Sequence, residues 1–270
     1  MIDRRAYNEH GYVLLRSFFE AAEVERVRDD AKRIFLSQMQ RLGLVDGDPA
    51  DEEAFARGMY ALFEADLQAF TNCGKHAQHL ISLHRLSLDS RIVDVLEALG
   101  LEFPTISTRP VLYFNSPRLA KKEVYNRLDA HQDWRSMQGS LDSVVVWVPL
   151  VDIDRELGAL EVVPGSHVGG LLTADMEDGY GHLAEPVDRT SFVPVTIARG
   201  DALVFSTFLV HQSGNNVTDG IRWSCHFRYN NAREASFVAR GLPHPYIYKP
   251  TESLITPNFP PPDLVAKVFS

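Results

Sequence analysis

The sequence predicts a mainly β protein with flanking helices, and three observations support that expectation. Apolar positions recur at helical spacing up to about residue 100, short β-like runs fill the chain from residue 103 onward, and Pro, Gly and Asn separate those runs. The β-like runs are TISTRPVLYF, SVVVWVPLV, GALEVVPGS, FVPVTI, ALVF, FLVHQ and IRWSCHFRY. Many short antiparallel strands with a metal site inside are typical of a cupin-like jelly roll.

The N-terminal helices are expected to pack on the outside of one sheet. A short strand is predicted over residues 12–15, and amphipathic helices over 20–44, 52–70 and 76–99, with a break near 87–90. No internal repeat and no low-complexity linker divides the chain. Residues 1–270 are therefore expected to form a single domain, a size that β-barrel proteins commonly reach.

Composition excludes several classes of protein. With 45% hydrophobic and 23% charged residues, the chain can bury a sizeable core without disulfides, and its two cysteines are expected to be reduced thiols. The net charge of −9 argues against nucleic-acid binding and against binding to anionic membranes. No apolar run is long enough to span a bilayer, and the N-terminus lacks the pattern of a signal peptide. We expect a cytoplasmic protein whose partner is a small-molecule substrate.

The segment His131-Gln132-Asp133, followed by His211, is the strongest chemical signal. Residues two apart on a strand point to the same face, so His131 and Asp133 are expected to converge, with His211 closing the set from the end of an apolar strand. Two imidazoles and one carboxylate are the ligand set of non-heme Fe(II) oxygenases, which leaves further metal positions open.

Arg222 and Ser224 extend that set. Arg222 follows His211 by eleven residues and can hold a dicarboxylate by a two-pronged contact, while Ser224 lies on the same strand face and can add its hydroxyl. Taken singly, each residue has an ordinary structural explanation: a surface turn, a strand-end histidine or a strand salt bridge. In combination they predict an enzyme that uses Fe(II), 2-oxoglutarate and O2.

Other polar residues leave their roles open. A basic segment precedes the metal motif, and it would suit either an anionic substrate or a solvated surface loop; it comprises Arg118, Lys121, Lys122 and Arg127. Gln132, Trp134, Arg135 and residues 173–191 are candidates for substrate contact by position alone. His167 is either structural or faces the pocket, and His226 shares the alternating strand face of Arg222.

At these residues the chain resembles the phytanoyl-CoA dioxygenase family, over nearly its whole length. The similar segments are NEHGYVLLRSFFEAAEVERVR, AHQDW, GALEVVPGSHVGGLL and VHQSGNNVTDGIRWSCHFRY. The resemblance implies a double-stranded β-helix. It also implies His131, Asp133 and His211 as iron ligands and Arg222 as the anchor of the distal carboxylate of 2-oxoglutarate. Trp147 matches a tryptophan that lines the cofactor pocket in the family, although a plain core aromatic explains it equally well.

The implied reaction couples oxidative decarboxylation of 2-oxoglutarate to C–H oxidation, releasing succinate and CO2. Related halogenases lack the metal-binding carboxylate, so the presence of Asp133 disfavours halogenation. Hydroxylation is expected, while desaturation, epimerisation and cyclisation stay open.

Two alternatives remain at this point: a cupin-like divalent-metal hydrolase or isomerase that does not use 2-oxoglutarate, and a catalytically silent binding protein of the same fold. The sequence indicates neither the primary substrate nor the oligomeric state.

Overall fold

The computed structural model describes residues 2–120, 128–175 and 182–243. Its N-terminal part is a layer of helices with one strand, as expected. The elements are α1 (Arg4–His10), β1 (Tyr12–Leu15), α2 (Ala21–Arg41), α3 (Glu52–Ala65), α4 (Leu67–Ala77), α5 (Ile81–Ser87) and α6 (Ser90–Leu99).

Aspartate side chains begin four of these helices. In each case a carboxylate accepts a hydrogen bond from a backbone N–H of the first turn; the residues are Asp3, Asp51, Asp66 and Asp89. Asp66 has a non-helical backbone (φ −150°, ψ 83°), so it ends α3 and caps α4. The expectation of one continuous helix over 52–70 was therefore wrong, because Asp66 is a better cap than a helix former. The expected helix over 76–99 likewise divides between α4, α5 and α6, and the break at 88–89 agrees with the sequence.

The remainder of the described chain is mainly β, and this predicted architecture with flanking helices is confirmed. Its strands are β2 (Pro104–Ile106), β3 (Val111–Asn115), β4 (Val144–Pro149), β5 (Leu160–Val162), β6 (Ala174–Asp175), β7 (His182–Leu183), β8 (Val193–Val195), β9 (Ala202–Ser206), β10 (His211–Gln212) and β11 (Arg222–Asn231). Two short helices accompany them, α7 (Trp134–Met137) and α8 (Ala235–Ala239).

The strands form two main sheets. The larger has the antiparallel order β1-β9-β4-β11-β2, and β3 also pairs with β11; the smaller has the order β10-β5-β8. His131 forms isolated antiparallel bridges with His211 and with His182, so it connects the smaller sheet to the β6–β7 pair. A metal-ligand candidate is thus also a structural link between strands.

Strand β11 sends its side chains alternately to two different environments. One face enters the core that contains the helices: Trp223, Cys225, Phe227 and Tyr229. Phe35 of α2 packs there against Phe114 and Trp223, with ring centroids 5.2 and 6.1 Å apart. Each such aromatic pair adds about 0.5–1.5 kcal/mol beyond its buried area. The predicted packing of the N-terminal helices on one sheet is therefore confirmed.

The opposite face of the larger sheet packs against the smaller sheet and forms a second core. Val145, Trp147 and Phe205 of the larger sheet meet Val162 and Val195 of the smaller one there. The polar face of β11 enters the same space, so the candidate site residues lie between the two sheets. Within the described residues, no helix combines the length and the apolarity that crossing a bilayer requires. The cytoplasmic location stays a prediction.

Candidate metal and cosubstrate site

The three predicted metal ligands come together between the sheets. His131, Asp133 and His211 each offer one ligand atom, and these atoms all lie within 4.8 Å of one another. His131 and His211 face each other as a hydrogen-bonded pair, with backbone N–O distances of 3.0 and 3.1 Å and ring centroids 4.2 Å apart. Residues directly opposite in an antiparallel pair place their side chains side by side, which explains the convergence of the two rings.

Asp133 reaches the site by a different route from the one the sequence predicted. It does not share a strand with His131, because its backbone is helical (φ −63°, ψ −30°) and it precedes α7. The N–H of Trp134 donates to the carbonyl of Thr207 at 3.0 Å, which fastens this turn next to the chain that leads to His211. The strand-face argument for the motif was therefore wrong, although its outcome holds: Oδ1 of Asp133 lies 3.7 Å from Nε2 of His131. His211 itself begins β10, and does not end a strand as expected.

The two imidazoles are prepared to bind a cation through Nε2. Nδ1 of His131 lies 2.7 Å from the carbonyl oxygen of Asp129, and Nδ1 of His211 lies 2.9 Å from that of Leu209. A carbonyl oxygen only accepts, so Nδ1 carries the proton and the lone pair remains on Nε2. Burial and the neighbouring His211 lower the pKa of His131 to about 3, and burial also lowers the pKa of His211. Both rings are therefore neutral at physiological pH, as metal ligation requires.

Asp133 supplies the negative charge. Burial raises its pKa, but the charge of the Arg228 guanidinium outweighs that effect and holds the pKa well below its usual range. Nε and Nη2 of Arg228 each donate to one oxygen of Asp133 at 3.0 Å. An ionised, buried carboxylate between two neutral imidazoles fits a divalent cation.

Arg222 is among the largest fully buried side chains of the described protein. Its Nη1 donates to the carbonyl of Gly158 at 2.5 Å and its Nη2 to Oγ of Ser213 at 3.4 Å, so both partners are neutral. Its Nε has no hydrogen-bond partner among the described residues, and the guanidinium carbon lies 5.4 Å from the ring centre of Tyr113. Burial lowers the pKa of the group, and the neighbouring Tyr113 opposes that shift. A buried cation in this state is costly and suits an anionic ligand.

Ser224 lies two residues further along β11, and it too has a buried polar group without a hydrogen-bond partner among the described residues. Its hydroxyl is fully buried and has no hydrogen-bond partner within the described part of the chain. Arg222 and Ser224 alternate with the core residues of β11 and so share one face. Two neighbouring unsatisfied donors of this kind fit the two oxygens of a carboxylate. A carboxylate is also the group that the sequence predicts as the ligand of these two residues.

A cavity of about 40 Å³ connects the three ligand candidates with Arg222, and Ser224 is not among the residues that line it. Its lining includes the three ligand candidates, Arg222 and Trp147. His226 also lines it, and burial followed by the charge of Arg228 lowers the pKa of this histidine well below the usual value. His226 is therefore a neutral polar group at the cavity wall.

Three polar lining residues were not found from the sequence: Tyr113, Ser213 and Arg228. Arg228 carried a usable signal, because the two-residue period of β11 places it on the face of Arg222 and His226. Ser213 stands in the same relation to His211. Tyr113 could not be found in this way, since only the strand register sets it opposite Ser224.

Several other candidates have structural roles. Nε2 of Gln132 donates to the carbonyls of Gly170 and Phe208 at 2.8 and 2.6 Å, so this side chain fastens loops together. His167 bonds through Nε2 with the carbonyl of Asn8 at 3.1 Å and packs on Gly11, which joins the N-terminal helix to the β region. The guanidinium of Arg118 stacks on Tyr60 at 4.2 Å. Lys121, Lys122, Arg127 and residues 176–181 lie outside the described residues.

Solved structures share this fold. The chain is similar to EvdO2 from Micromonospora carbonacea var. aurantiaca complexed with 2-oxoglutarate, at a TM-score of 0.56 and 21% identity over 86% of this chain and 92% of that one. It is also similar to the epimerase SnoN in complex with Fe3+, alpha ketoglutarate and nogalamycin RO, at a TM-score of 0.54 and 22% identity over 85% of this chain and 82% of the other. The predicted jelly-roll fold is confirmed by these likenesses.

Sequence comparison leads to the same group of proteins. The peroxisomal phytanoyl-CoA dioxygenase of Bos taurus is 26% identical over 235 residues, which cover 83% of this chain and 67% of the bovine protein. The family model for phytanoyl-CoA dioxygenase (PhyH) matches residues 7–224, which is most of the chain. The predicted enzyme class, an Fe(II)- and 2-oxoglutarate-dependent oxygenase, is thereby confirmed, and the chain belongs to the phytanoyl-CoA dioxygenase family.

Proposed function

We propose that this protein hydroxylates a C–H bond of a small metabolite, with His131, Asp133 and His211 holding Fe(II) and Arg222 holding the distal carboxylate of 2-oxoglutarate. The observation that carries the proposal is the buried guanidinium of Arg222, whose Nε has no partner among the described residues and whose other contacts are neutral. A metal-binding fold without a dicarboxylate cosubstrate has no use for such a group, because an uncompensated buried charge costs several kcal/mol (about 3–5 when a buried pair is broken).

The chemistry that the bound iron, 2-oxoglutarate and O2 supply is an oxidation in which one oxygen atom enters succinate and the other the hydroxyl of the product, with loss of CO2. The residues of the chain do the positioning. Nδ1 of each histidine is held by a backbone carbonyl, so Nε2 of each ring stays aimed at the position between the ligands. Arg222 and Ser224 orient the cosubstrate by binding its distal carboxylate.

The walls of the cavity have a role of their own. Trp147 and Phe205 line it and are both nearly inaccessible to solvent, so they exclude water from the space between the ligands and Arg222. A dry, low-dielectric cavity strengthens the contact between a guanidinium and a carboxylate. We propose that Trp147 lines the cosubstrate pocket and excludes water from it, without bonding to the reacting atoms.

The protein takes a small-molecule substrate, in keeping with its family, whose named relatives include a phytanoyl-CoA dioxygenase. SnoN, a protein of the same fold, is named as an epimerase, so the fold alone does not fix the reaction outcome. Hydroxylation is proposed because the carboxylate ligand is present and the family description is that of a dioxygenase. We also propose that residues 1–270 act as one domain, since the helices and the larger sheet share a single core within the described part.

The alternatives are not favoured. A divalent-metal hydrolase or isomerase would need the metal ligands but not Arg222 and Ser224 with their unsatisfied donors. A silent binding protein would have no need for two neutral imidazoles and an ionised carboxylate within 4.8 Å of one another.

The test is a visible absorption spectrum of the anaerobic protein with Fe(II), recorded before and after 2-oxoglutarate is added. A weak charge-transfer band is expected on addition, because a keto acid chelated to iron absorbs there, and succinate, which lacks the keto group, should give none. Bound iron without the band would contradict the use of 2-oxoglutarate and favour a hydrolase or isomerase. No binding of iron at all would contradict the metal site.

A further inference from the structure

Gln132 stands between two of the ligand candidates in the sequence, yet it is not among the residues that line the cavity. The residue is buried, at 3% exposure. Its Nε2 donates to the carbonyls of Gly170 and Phe208 at 2.8 and 2.6 Å, and its Oε1 accepts from the N–H of Leu172 at 2.8 Å. Two acceptors and one donor at these positions match the two N–H groups and the carbonyl of a glutamine amide. A side chain outside the cavity therefore ties three parts of the chain together.

The bond to Phe208 crosses between the two segments that carry the ligand candidates. Residues 131–134 and 207–211 lie side by side and are connected by backbone hydrogen bonds of 3.0 and 3.1 Å. Gln132 adds a side-chain bond to the carbonyl of Phe208, which lies in the turn between β9 and β10. This turn leads directly to His211. The spacing between the ligand candidates of the two segments therefore depends in part on the side chain of Gln132.

The same turn aims the imidazole of His211. The carbonyl of Leu209 lies 2.9 Å from Nδ1 of that ring, and this contact directs Nε2 toward the position between the ligand candidates. The carbonyl group of Phe208 and the Cα atom of Leu209 belong to one planar peptide unit. Holding the Phe208 carbonyl therefore also restrains the residue that orients His211. This peptide gives Gln132 an indirect route to the metal position.

A third segment, residues 166–172, is fastened to the same amide, and we call it the strap. Gln132 holds both Gly170 and Leu172, and the guanidinium of Arg135 also donates to the carbonyl of Leu172. No residue of the strap is buried, so it has little apolar packing of its own. The position of such a segment depends mainly on its hydrogen bonds. Displacing the amide of Gln132 would therefore loosen the strap as well as the turn between β9 and β10.

We propose that Gln132 is a positioning residue for the metal and couples the strap to the metal site. In one direction, its amide sets the spacing of the ligand candidates and the aim of His211. In the other direction, a cation held by the ligand candidates restrains the turn that carries Gln132, so metal binding makes the strap open less often. Such a coupling is reciprocal, because it is a free energy shared by the two sites. The proposal rests on the metal site of the proposed function and adds a residue that controls it from outside the cavity.

The experiment measures metal affinity and ligand geometry in two matched variants, with nickel(II) in place of iron so that no turnover occurs. Gln132→Met removes all three hydrogen bonds at nearly constant side-chain length. Its nickel affinity, measured by calorimetry, should fall at least about tenfold, and the visible d–d bands of the cobalt(II)-loaded protein, which report ligand geometry, should change. Gln212→Met is the control, because Gln212 is next to His211 but its Nε2 donates to the side chain of Glu161 at 2.6 Å. The control should change neither measurement.

The coupling to the strap has a separate readout, which is hydrogen exchange followed by mass spectrometry. Nickel should slow exchange of the Leu172 amide hydrogen at least about fivefold in the wild type, because that hydrogen exchanges only when its bond to Gln132 breaks. The same peptide in Gln132→Met should not respond to nickel. A merely structural side chain would contribute to the free energy of unfolding without affecting the cobalt bands or this response.

Folded Gln132→Met with wild-type nickel affinity and wild-type cobalt bands would overturn the proposal. Equal losses of affinity in both variants would also overturn it, and so would strap exchange that does not respond to nickel in the wild type. If Gln132→Met does not fold, Gln132→Glu, which keeps the shape and the acceptor but loses at least one donor, should bind nickel at least about threefold more weakly. Unchanged affinity in Gln132→Glu would then overturn the proposal. Wild-type protein that binds neither nickel nor cobalt would instead contradict the metal site of the proposed function itself.

Discussion

The carbonyl oxygen of Gly158 accepts a hydrogen bond from Nη1 of Arg222, so the backbone ahead of β5 holds the guanidinium in place. Gly158 has a φ of +86°, and a Cβ there would lie 2.9 Å from both the amide nitrogen of Asn216 and the carbonyl oxygen of Gly214. Close approach of these two backbone segments therefore requires glycine. This close approach explains why glycine occupies position 158, the first residue of the family-like segment GALEVVPGS.

Gly158→Ala is expected to destabilise the protein by about 2–4 kcal/mol, from left-handed strain and from backbone crowding together. Gly43→Ala is the matched control, because Gly43 has a φ of +65° but open space around its Cβ position. Only the strain, about 1 kcal/mol, should appear there. Chemical denaturation measures both variants, and equal losses would show that the crowding at Gly158 has no effect.

Arg222→Met is expected to weaken 2-oxoglutarate binding by at least about 30-fold, since truncating one member of a buried charge pair costs about 2 kcal/mol or more. Arg222→Lys should recover only part of the affinity, because an ammonium cannot donate in the planar fork. Calorimetry on the nickel-loaded protein gives the dissociation constants. An unchanged constant in Arg222→Met would refute the anchoring role, and Arg233→Met serves as the surface control.

Ser224→Ala should separate stability from cosubstrate binding. The hydroxyl is buried and unpartnered among the described residues, so its removal should leave the stability of the metal-free protein unchanged or raise it by up to about 1 kcal/mol. The affinity for 2-oxoglutarate should fall about 3–10-fold, the net value of one hydrogen bond. A loss of stability together with unchanged affinity would assign Ser224 to the fold and not to the cosubstrate.

The helix layer, the mainly β C-terminal part and the residues of the candidate metal site were predictable because each leaves a local pattern. Helical spacing ends near residue 100, and a strand with a two-residue period carries Arg222, Ser224 and His226 on one face. The route by which Asp133 reaches the site was not predictable, because a helical turn after His131 replaces the expected strand. That turn is fixed by a hydrogen bond from Trp134 to Thr207, and such long-range contacts have no local signature.

The assignment of strands to the two sheets was equally unpredictable from the sequence. Asp219 and Gly220 precede β11 and look like a hairpin turn, yet β10 pairs with β5 in the smaller sheet while β11 lies in the larger one. The pairing of Asp133 with Arg228 was also not predictable, since 95 residues separate them in the sequence. The sequence supplies the two side chains, and only the register of β11 against the rest of the fold brings them together.

Arg91 connects two helices through acidic partners, and this sets a dependence of stability on pH. It donates to Asp89 through Nε at 2.7 Å and to Glu23 through Nη2 at 2.7 Å, and these bonds lower the pKa of both carboxyls. A carboxyl whose pKa is lower in the folded protein than in the unfolded chain stabilises the fold at pH values above its unfolded-state pKa, which is 3.8 for Asp89. This stabilisation is lost as the pH falls through the pKa of the folded protein. Arg91→Met should therefore cost about 1 kcal/mol at neutral pH and progressively less below about pH 4.

Urea denaturation from pH 7 to pH 2.5 measures this difference between wild type and Arg91→Met. Arg57→Met is the control, because Arg57 is 65% exposed and its partner Glu53 is 88% exposed at 3.5 Å. The control should show almost no pH-dependent difference. A difference for Arg91→Met that stays constant down to pH 2.5 would show that packing, and not the ion pairs, accounts for it.

Asp133→Ala and Asp133→Asn distinguish the metal role of this carboxylate from its role as partner of Arg228. Both remove the anionic ligand, so nickel affinity and succinate production should each fall by more than about 100-fold. The asparagine side chain keeps an acceptor for Arg228, whereas alanine leaves that guanidinium at the cavity wall without its carboxylate. Thermal melting should therefore show Asp133→Asn folded and Asp133→Ala less stable than Asp133→Asn by about 1–3 kcal/mol. Retained succinate production in a folded variant would contradict the ligand role, since the remaining imidazoles alone carry no charge to hold the cation.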